Sequence, residues 1–263
     1  MMSINFEQPM TVYELIAIIL SVFALIIPAI KWVYDNFLKR LKIDFLPSGM
    51  ITLFHNKSGS YISLGGVYEA QNKATTIKEI SAKVIRKSDN ATLSLMWSTF
   101  PSPVFRSVAG NYESSFETAH PFKVEADTLV PAFVEFANME SNMDETTNNI
   151  LRPVENASLP ILSQGNIALL AADSGVKALP EYNAAKLSLN DYFFWKKGTY
   201  EVILTTVHSK GSFDKKYEVR LSKEESDMIR QNIDNLLVLH VAKHFRLTLP
   251  MNSIRKEFKE KKK

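Results

Sequence analysis

The chain has 263 residues, 46% of them hydrophobic and 22% charged, with a net charge of +3 and a mean hydropathy of −0.07. Such averages exclude a disordered chain, and 9 Gly and 11 Pro exclude a collagen-like repeat. A mean hydropathy near zero excludes a multi-span membrane protein, and zero Cys excludes disulfides, thiolate zinc sites, iron–sulfur clusters and thiol catalysis.

The first element is concentrated in LIAIILSVFALIIPAI, residues 15–30, which carries no charge. Extended to 12–34, at about 1.5 Å rise per residue, it reaches roughly 34 Å, enough to cross a hydrocarbon core of about 30 Å. Tyr13 stands at one edge and Trp32 and Tyr34 at the other, as in an interfacial belt, and Lys31 is placed to snorkel. Residues 1–14 hold no Lys or Arg, and no A-x-A-like site follows, so an uncleaved anchor is expected rather than a signal peptide. Lys31, Lys39, Arg40 and Lys42 follow the span, while Glu7 and Glu14 lie before or at its start. The positive-inside rule then expects residues 1–11 outside, the rest in the cytoplasm, and the inner (plasma) membrane as location. The lipid-facing set is Tyr13, Lys31, Trp32, Tyr34, Lys39, Arg40 and Lys42. Ala17, Ser21, Ala24 and Pro28 follow a 4-3-4 spacing, a stripe that Glu14 extends. Small residues let helices approach in lipid, so this seam is the expected helix–helix contact, with a second copy or a partner span.

Residues 35–42 are expected to continue the helix briefly, until Pro47-Ser48-Gly49 breaks it. Period-two patterns follow: Ile62, Leu64, Tyr68 and Ala70 around a Gly65-Gly66 bulge, then Ile80, Ala82 and Val84 within 76–86, then 91–97. Shorter candidates lie at Phe122–Glu125 and Ala132–Phe136. A clear hairpin has Tyr200, Val202 and Leu204 returning as Tyr217, Val219 and Leu221 about Ser209-Lys210-Gly211. The fold class expected is mainly β, an antiparallel sandwich over 43–222 with a strand-free insertion at about 139–193. Within that insertion a short helix is expected over 166–176. Ser222 and Glu225 form a capping box opening a helix over 223–238, within a helical segment reaching 250. Residues 251–263 are expected as a basic tail.

Phe194, Trp195, Gly198, Tyr200, Val202, Leu204, then Gly211, Tyr217, Val219, Leu221 and Ser222 resemble the last two strands of immunoglobulin-like or fibronectin-III-like modules. An anchor followed by such a module resembles uncharacterised bacterial single-pass membrane proteins. The resemblance implies a fold and an architecture, and fold does not carry function.

No phosphate-cradling loop, dinucleotide fingerprint or nucleophile elbow is present. His240 and His244 share a helix face, but H-V-A-K-H lacks the Glu of a zincin. Ser58-Gly59-Ser60 and Asp173-Ser174-Gly175 are expected as turns. Asp144-Glu145 and Glu224-Glu225 are carboxylate pairs, the second explained by its helix start. Sequons at Asn56, Asn90 and Asn156 are not read as glycosylation. Basic residues at 255–263 are expected to be solvated or to touch anionic lipid; no nucleic acid, cofactor or metal is expected.

The function expected is a non-enzymatic, membrane-anchored interaction, scaffold or sensor protein. Its rivals are an oligomeric membrane effector or accessory subunit of a bacterial defence or stress system, and a hydrolase with its site in the insertion.

Overall fold

A computed structural model describes residues 11–108, 111–138, 142–162, 174–241, 249 and 251–260. The expected N-terminal tail, His244, Lys261 to Lys263 and most of the short helix over 166–176 lie outside these residues.

Helix α1 (Val12–Val33) leads through a π-helical turn (Tyr34–Leu38) into β1 (Lys42–Asn56). Then come β2 (Gly59–Gln71), β3 (Thr75–Arg86), β4 (Thr92–Val108), β5 (Asn111–Thr118), β6 (Phe122–Val124) and β7 (Thr128–Ala137). Helices α2 (Met143–Leu162) and α3 (Pro180–Asp191) precede β8 (Gly198–His208) and β9 (Gly211–Leu221). Helix α4 (Lys223–Val241), β10 (Ser253–Glu257) and β11 (Lys259–Glu260) complete the described elements.

All strand pairs are antiparallel and belong to one sheet, ordered β10-β1-β2-β7-β4-β3-β8-β9-β11, with β5 beside β4 and β6 beside β3. β10 pairs with β1 (Met50↔Glu257 to Phe54↔Ser253), and β11, one residue further on, pairs with β9 (Lys259↔Glu218, Glu260↔Tyr217). One short stretch of chain thus joins the two ends of the path, and the sheet is a nearly closed barrel. Two facing sheets, as in the expected sandwich, are not what these hydrogen bonds build. The hairpins are the same in either architecture; the closing strand decides between them.

That closing strand is the correction to the expected basic tail. Arg255, Lys256 and Lys259 conceal an alternation in which Ile254 and Phe258 turn inward and are buried, Phe258 against the Tyr217 ring at 4.6 Å. Lys256 is held by Glu225 at 2.7 Å. Lys215 spans the remaining gap between β9 and β1, at 2.7 Å from Asp44 and 3.1 Å from Glu260.

Pro47-Ser48-Gly49 is also corrected. It lies inside β1 as a bulge, where the register to β2 shifts between Pro47 and Ile51 and Gly49 takes φ +81°. The bulged strand is β1. Gly65 and Gly66 stand opposite in β2 because the Phe133 and Phe45 rings lie over their Cα atoms, where any Cβ would overlap them.

The registers give the barrel two ends. Lys42, Gln71, Thr75, Thr128, His208 and Gly211 mark the near end, which α1 enters; Asn56, Gly59, Arg86, Ala137, Gly198 and Leu221 mark the far end. The strand-free segment is built into the far end. α2 buries Met143, Thr147, Leu151, Val154 and Ser158 from one face despite Pro153 and Pro160, and α3 buries Tyr182, Ala185 and Leu189. Both pack on α4, which buries Ile229, Ile233, Leu236 and Leu237. Trp195 lies beneath, donating from Nε1 to the Phe54 carbonyl at 2.8 Å and accepting at its own carbonyl from Ser226 at 2.6 Å. Asn232, fully buried, ties α4 to the barrel: its Nδ2 donates to the His55 and Asn252 carbonyls, and its Oδ1 accepts from the Asn252 amide.

Candidate functional site

The element with no place in the barrel is α1. Thr11 and Glu14 close a capping box at its start, the Glu14 carboxylate accepting from the Thr11 amide at 2.8 Å and hydroxyl at 2.9 Å. These bonds satisfy helix-start donors that lipid would leave unmet. The helix is 22 residues long with a mean hydropathy of 2.4 over its most apolar window, and none of its residues is buried. It is the one helix among the described residues long and apolar enough to cross a membrane. Leu, Ile, Val and Phe stand exposed all round it, an arrangement that water disfavours and a bilayer supplies.

The seam residues Ala17, Ser21, Ala24 and Pro28 lie exposed on this helix. The Ser21 hydroxyl donates to the Ala17 carbonyl at 2.8 Å, so its polar atom is satisfied within the helix. Glu14, placed on the same seam, has its carboxylate drawn to the helix cap. Tyr13, Trp32 and Tyr34 are exposed at the two edges, with Trp32 edge-on to Phe37 at 5.7 Å.

The exit from the helix is built rather than frayed. A π-type bond from the Lys39 amide to the Tyr34 carbonyl closes the turn, and Lys39 pairs with Asp35 at 3.6 Å. Residues 35–42 therefore hold a π-turn and a short link, not a full helix extension. Asn72 Nδ2 donates to the Arg40 carbonyl at 3.0 Å, and the Asn72 amide donates to Asp127 at 3.1 Å. Asn72 and Asp127 both sit at positive φ, a conformation their short polar side chains tolerate. The chain leaving α1 is thus tied to the β2–β3 and β6–β7 turns at the near end. Arg40 and Lys42 remain exposed there.

Several polar side chains of the described residues serve the fold. His55 is buried, with Nδ1 2.9 Å from Ser60 Oγ and its ring edge-on to Phe193, and burial lowers its pKa to about 4. Ser58 donates to Asp144 at 2.8 Å and Ser60 Oγ accepts the Phe194 amide, so this turn docks α2 and the Trp195 segment. His240 meets Glu155 at 3.0 Å, joining α4 to α2, and His120 lies 3.0 Å from the Thr118 carbonyl. Glu225 completes its capping box with Ser222. No group of three or more His, Asp or Glu able to hold a metal occurs among the described residues.

Two open grooves mark the far end. One, of about 490 Å³ between α3 and α4, is lined by Lys186, Asp227, Arg230 and Asp234; Lys186 and Asp234 pair at 2.7 Å, and Arg230 stacks over Phe193. The other, about 440 Å³ between α2 and α3, carries Thr146, Asn149, Ser188 and Asp191. No family model, curated protein or solved structure matches the chain.

Proposed function

We propose that this chain is a single-pass, membrane-anchored interaction protein. α1 crosses the plasma membrane with the N-terminus outside, associates with a second span along the Ala17/Ser21/Ala24/Pro28 seam, and holds the barrel against the cytoplasmic face. One observation carries the reading: an apolar helix with no residue buried on the protein, joined to a barrel that is packed and nearly closed without it. The exposed Arg40 and Lys42 at its exit support the orientation. The helical cap and its grooves, at the end away from the anchor, are the surface offered to a scaffold or signalling partner.

The test is fractionation and topology together. Full-length chain is expected to resist alkaline extraction from membranes, and a phosphatase fused after residue 260 is expected to stay inactive while one fused before residue 11 is active outside. Release by alkali removes the anchor, and the opposite fusion pattern reverses the orientation. Ala17→Leu/Ser21→Leu/Ala24→Leu is expected to abolish detergent-stable oligomers.

A further inference from the structure

One hairpin leaves the barrel. At Thr99, β4 meets Glu135 of β7 on one edge and Thr118 of β5 on the other. Past Thr99 its only strand partner among the described residues is β5, as far as the pair Val108↔Asn111. Register sets the direction. β4 faces β3 from Ile85↔Thr92 to Ser81↔Met96, so it runs from the far end toward the near end. Counted on from Ser81↔Met96, it draws level with Thr76, one residue from the near limit of β3, at Pro101. The register bulges between Pro101 and Phe105, so the reach beyond is counted on β5. From Phe116, opposite Pro101, to Asn111 is roughly 17 Å at about 3.3 Å per residue. The hairpin thus runs out past the end at which α1 joins the barrel, where the link is only Lys39, Arg40 and Leu41.

We propose that the outer part of the β4–β5 hairpin enters the interfacial layer of the bilayer, as a second membrane contact beside the anchor. The proposal rests on the membrane-anchored reading above. Three observations select the bilayer as occupant. The first is position: hairpin and anchor leave the barrel at the same end, and the bonds joining Arg40, Asn72 and Asp127 tie the chain leaving α1 to that end. The second is composition. The tight connections Lys57-Ser58, Asn72-Lys73-Ala74, Lys87 to Ala91 and Ser209-Lys210 each carry a lysine. The β4–β5 hairpin carries no charge between Arg106 and Glu113, and Val104, Phe105, Val108 and Tyr112 lie in its outer part. Aromatic and aliphatic residues with one arginine suit the headgroup boundary, where Arg106 is attracted to anionic lipid. The third is support. A two-stranded ribbon is marginal in water by itself, and past Thr99 this one pairs only with itself among the described residues. An interface that accepts its apolar residues supplies what the barrel does not. Two contacts on one membrane also turn the far-end grooves away from it.

The chain has no cysteine, so an introduced one reports alone. Full-length protein is reconstituted in vesicles of zwitterionic and anionic lipid with a nitrobenzoxadiazole fluorophore on one introduced cysteine. The positions are Ser107→Cys in the hairpin, Phe23→Cys in α1, Lys210→Cys in the β8–β9 turn and Ala184→Cys in α3. The lipid acyl chains are brominated near the carbonyl or at mid-chain. Ser107→Cys is expected to be quenched by the shallow bromines and Phe23→Cys by the deep ones, with Lys210→Cys and Ala184→Cys quenched at least threefold less. Adding Phe105→Asp, or independently Val108→Asp, is expected to reduce quenching at Ser107→Cys at least threefold and to leave Phe23→Cys unchanged. Quenching at Phe23→Cys without quenching at Ser107→Cys overturns the hairpin contact and leaves the anchored reading standing. Quenching at neither position removes both. Equal quenching at Ser107→Cys and Lys210→Cys overturns the hairpin as the contact, and so does quenching at Ser107→Cys that survives both aspartates. An unquenched Ser107→Cys that forms disulfide-linked dimers on oxidation places a second copy there instead of lipid, and overturns it too.

Discussion

α1 and α4 begin alike and end in opposite surroundings. Each opens with a hydroxyl residue and a Glu three positions on, Thr11 with Glu14 and Ser222 with Glu225, and each pair is closed by reciprocal bonds. They are of similar length, 22 and 19 residues. Yet α1 buries nothing, while α4 buries Ser226, Ile229, Asn232, Ile233, Leu236, Leu237 and Val241. Local chemistry starts a helix in the same way in either place. Its destination is set by how apolar side chains are distributed around it: a stripe seeks a protein surface, a full girdle seeks lipid.

The sharpest way to break this comparison is to place one charge in each helix. Ile233→Asp buries an unpaired carboxylate against the barrel and is expected to leave no folded domain, read as lost protease resistance. Ile19→Asp is expected to leave the barrel's melting temperature unchanged and to weaken membrane insertion by about 3 kcal/mol, read in a glycosylation-based insertion assay.

Acid tests the α4 seat more gently. His55, whose carbonyl accepts from Asn232, titrates at about 4 in the fold against 6.5 when free. A depressed histidine favours the neutral folded form. Its contribution is complete above pH 6.5 and is lost as pH falls toward 4, in total about 3 kcal/mol. Urea denaturation between pH 7.5 and 4.5 is expected to show this slope in the native chain and a flatter one in His55→Gln. The carboxylates held below their ordinary range, Asp89 by Arg86 and Glu218 by Lys87, lose their contribution as pH falls through their ordinary values, at the acid edge of that window and below it.

Phe258→Ala, between β10 and β11, is expected to cost about 3 kcal/mol in thermal unfolding, with α1's membrane retention untouched. The smallest contrast lies in the two caps. Ser222→Ala is expected to destabilise the domain by about 1 kcal/mol, whereas Thr11→Ala should not move its melting temperature at all. A shift with Thr11→Ala would mean that α1 leans on the barrel after all.

The sequence makes α1, the β8–β9 hairpin and the α4 cap legible because each is local: a run, an alternation, a four-residue box. The far-end helices are harder to read. The buried face of α2 includes Thr147 and Ser158, and two prolines interrupt its helical signal, so its stripe does not look apolar. Closure is hardest, since Ile254 and Phe258 are two apolar residues among lysines and their partners lie far away in the chain. Of the expected site, the apolar helix and its edge residues are visible in composition; the Arg40–Asn72–Asp127 tie between the barrel and the chain leaving that helix depends on two turns at positive φ and carries no linear signature.

The pairing Met50↔Glu257 sets an order of events during synthesis. Chains emerge N-terminus first and β1 follows α1 after one short turn and link, so the apolar helix is complete while the strand that completes the barrel does not yet exist. β1 must wait with its edge open, and contacts this distant in sequence form slowly. On the proposed membrane-anchored reading, the chain is tethered before it is folded. On that reading its maturing barrel meets only neighbours confined to the same surface, with its first strand still unpaired on one side.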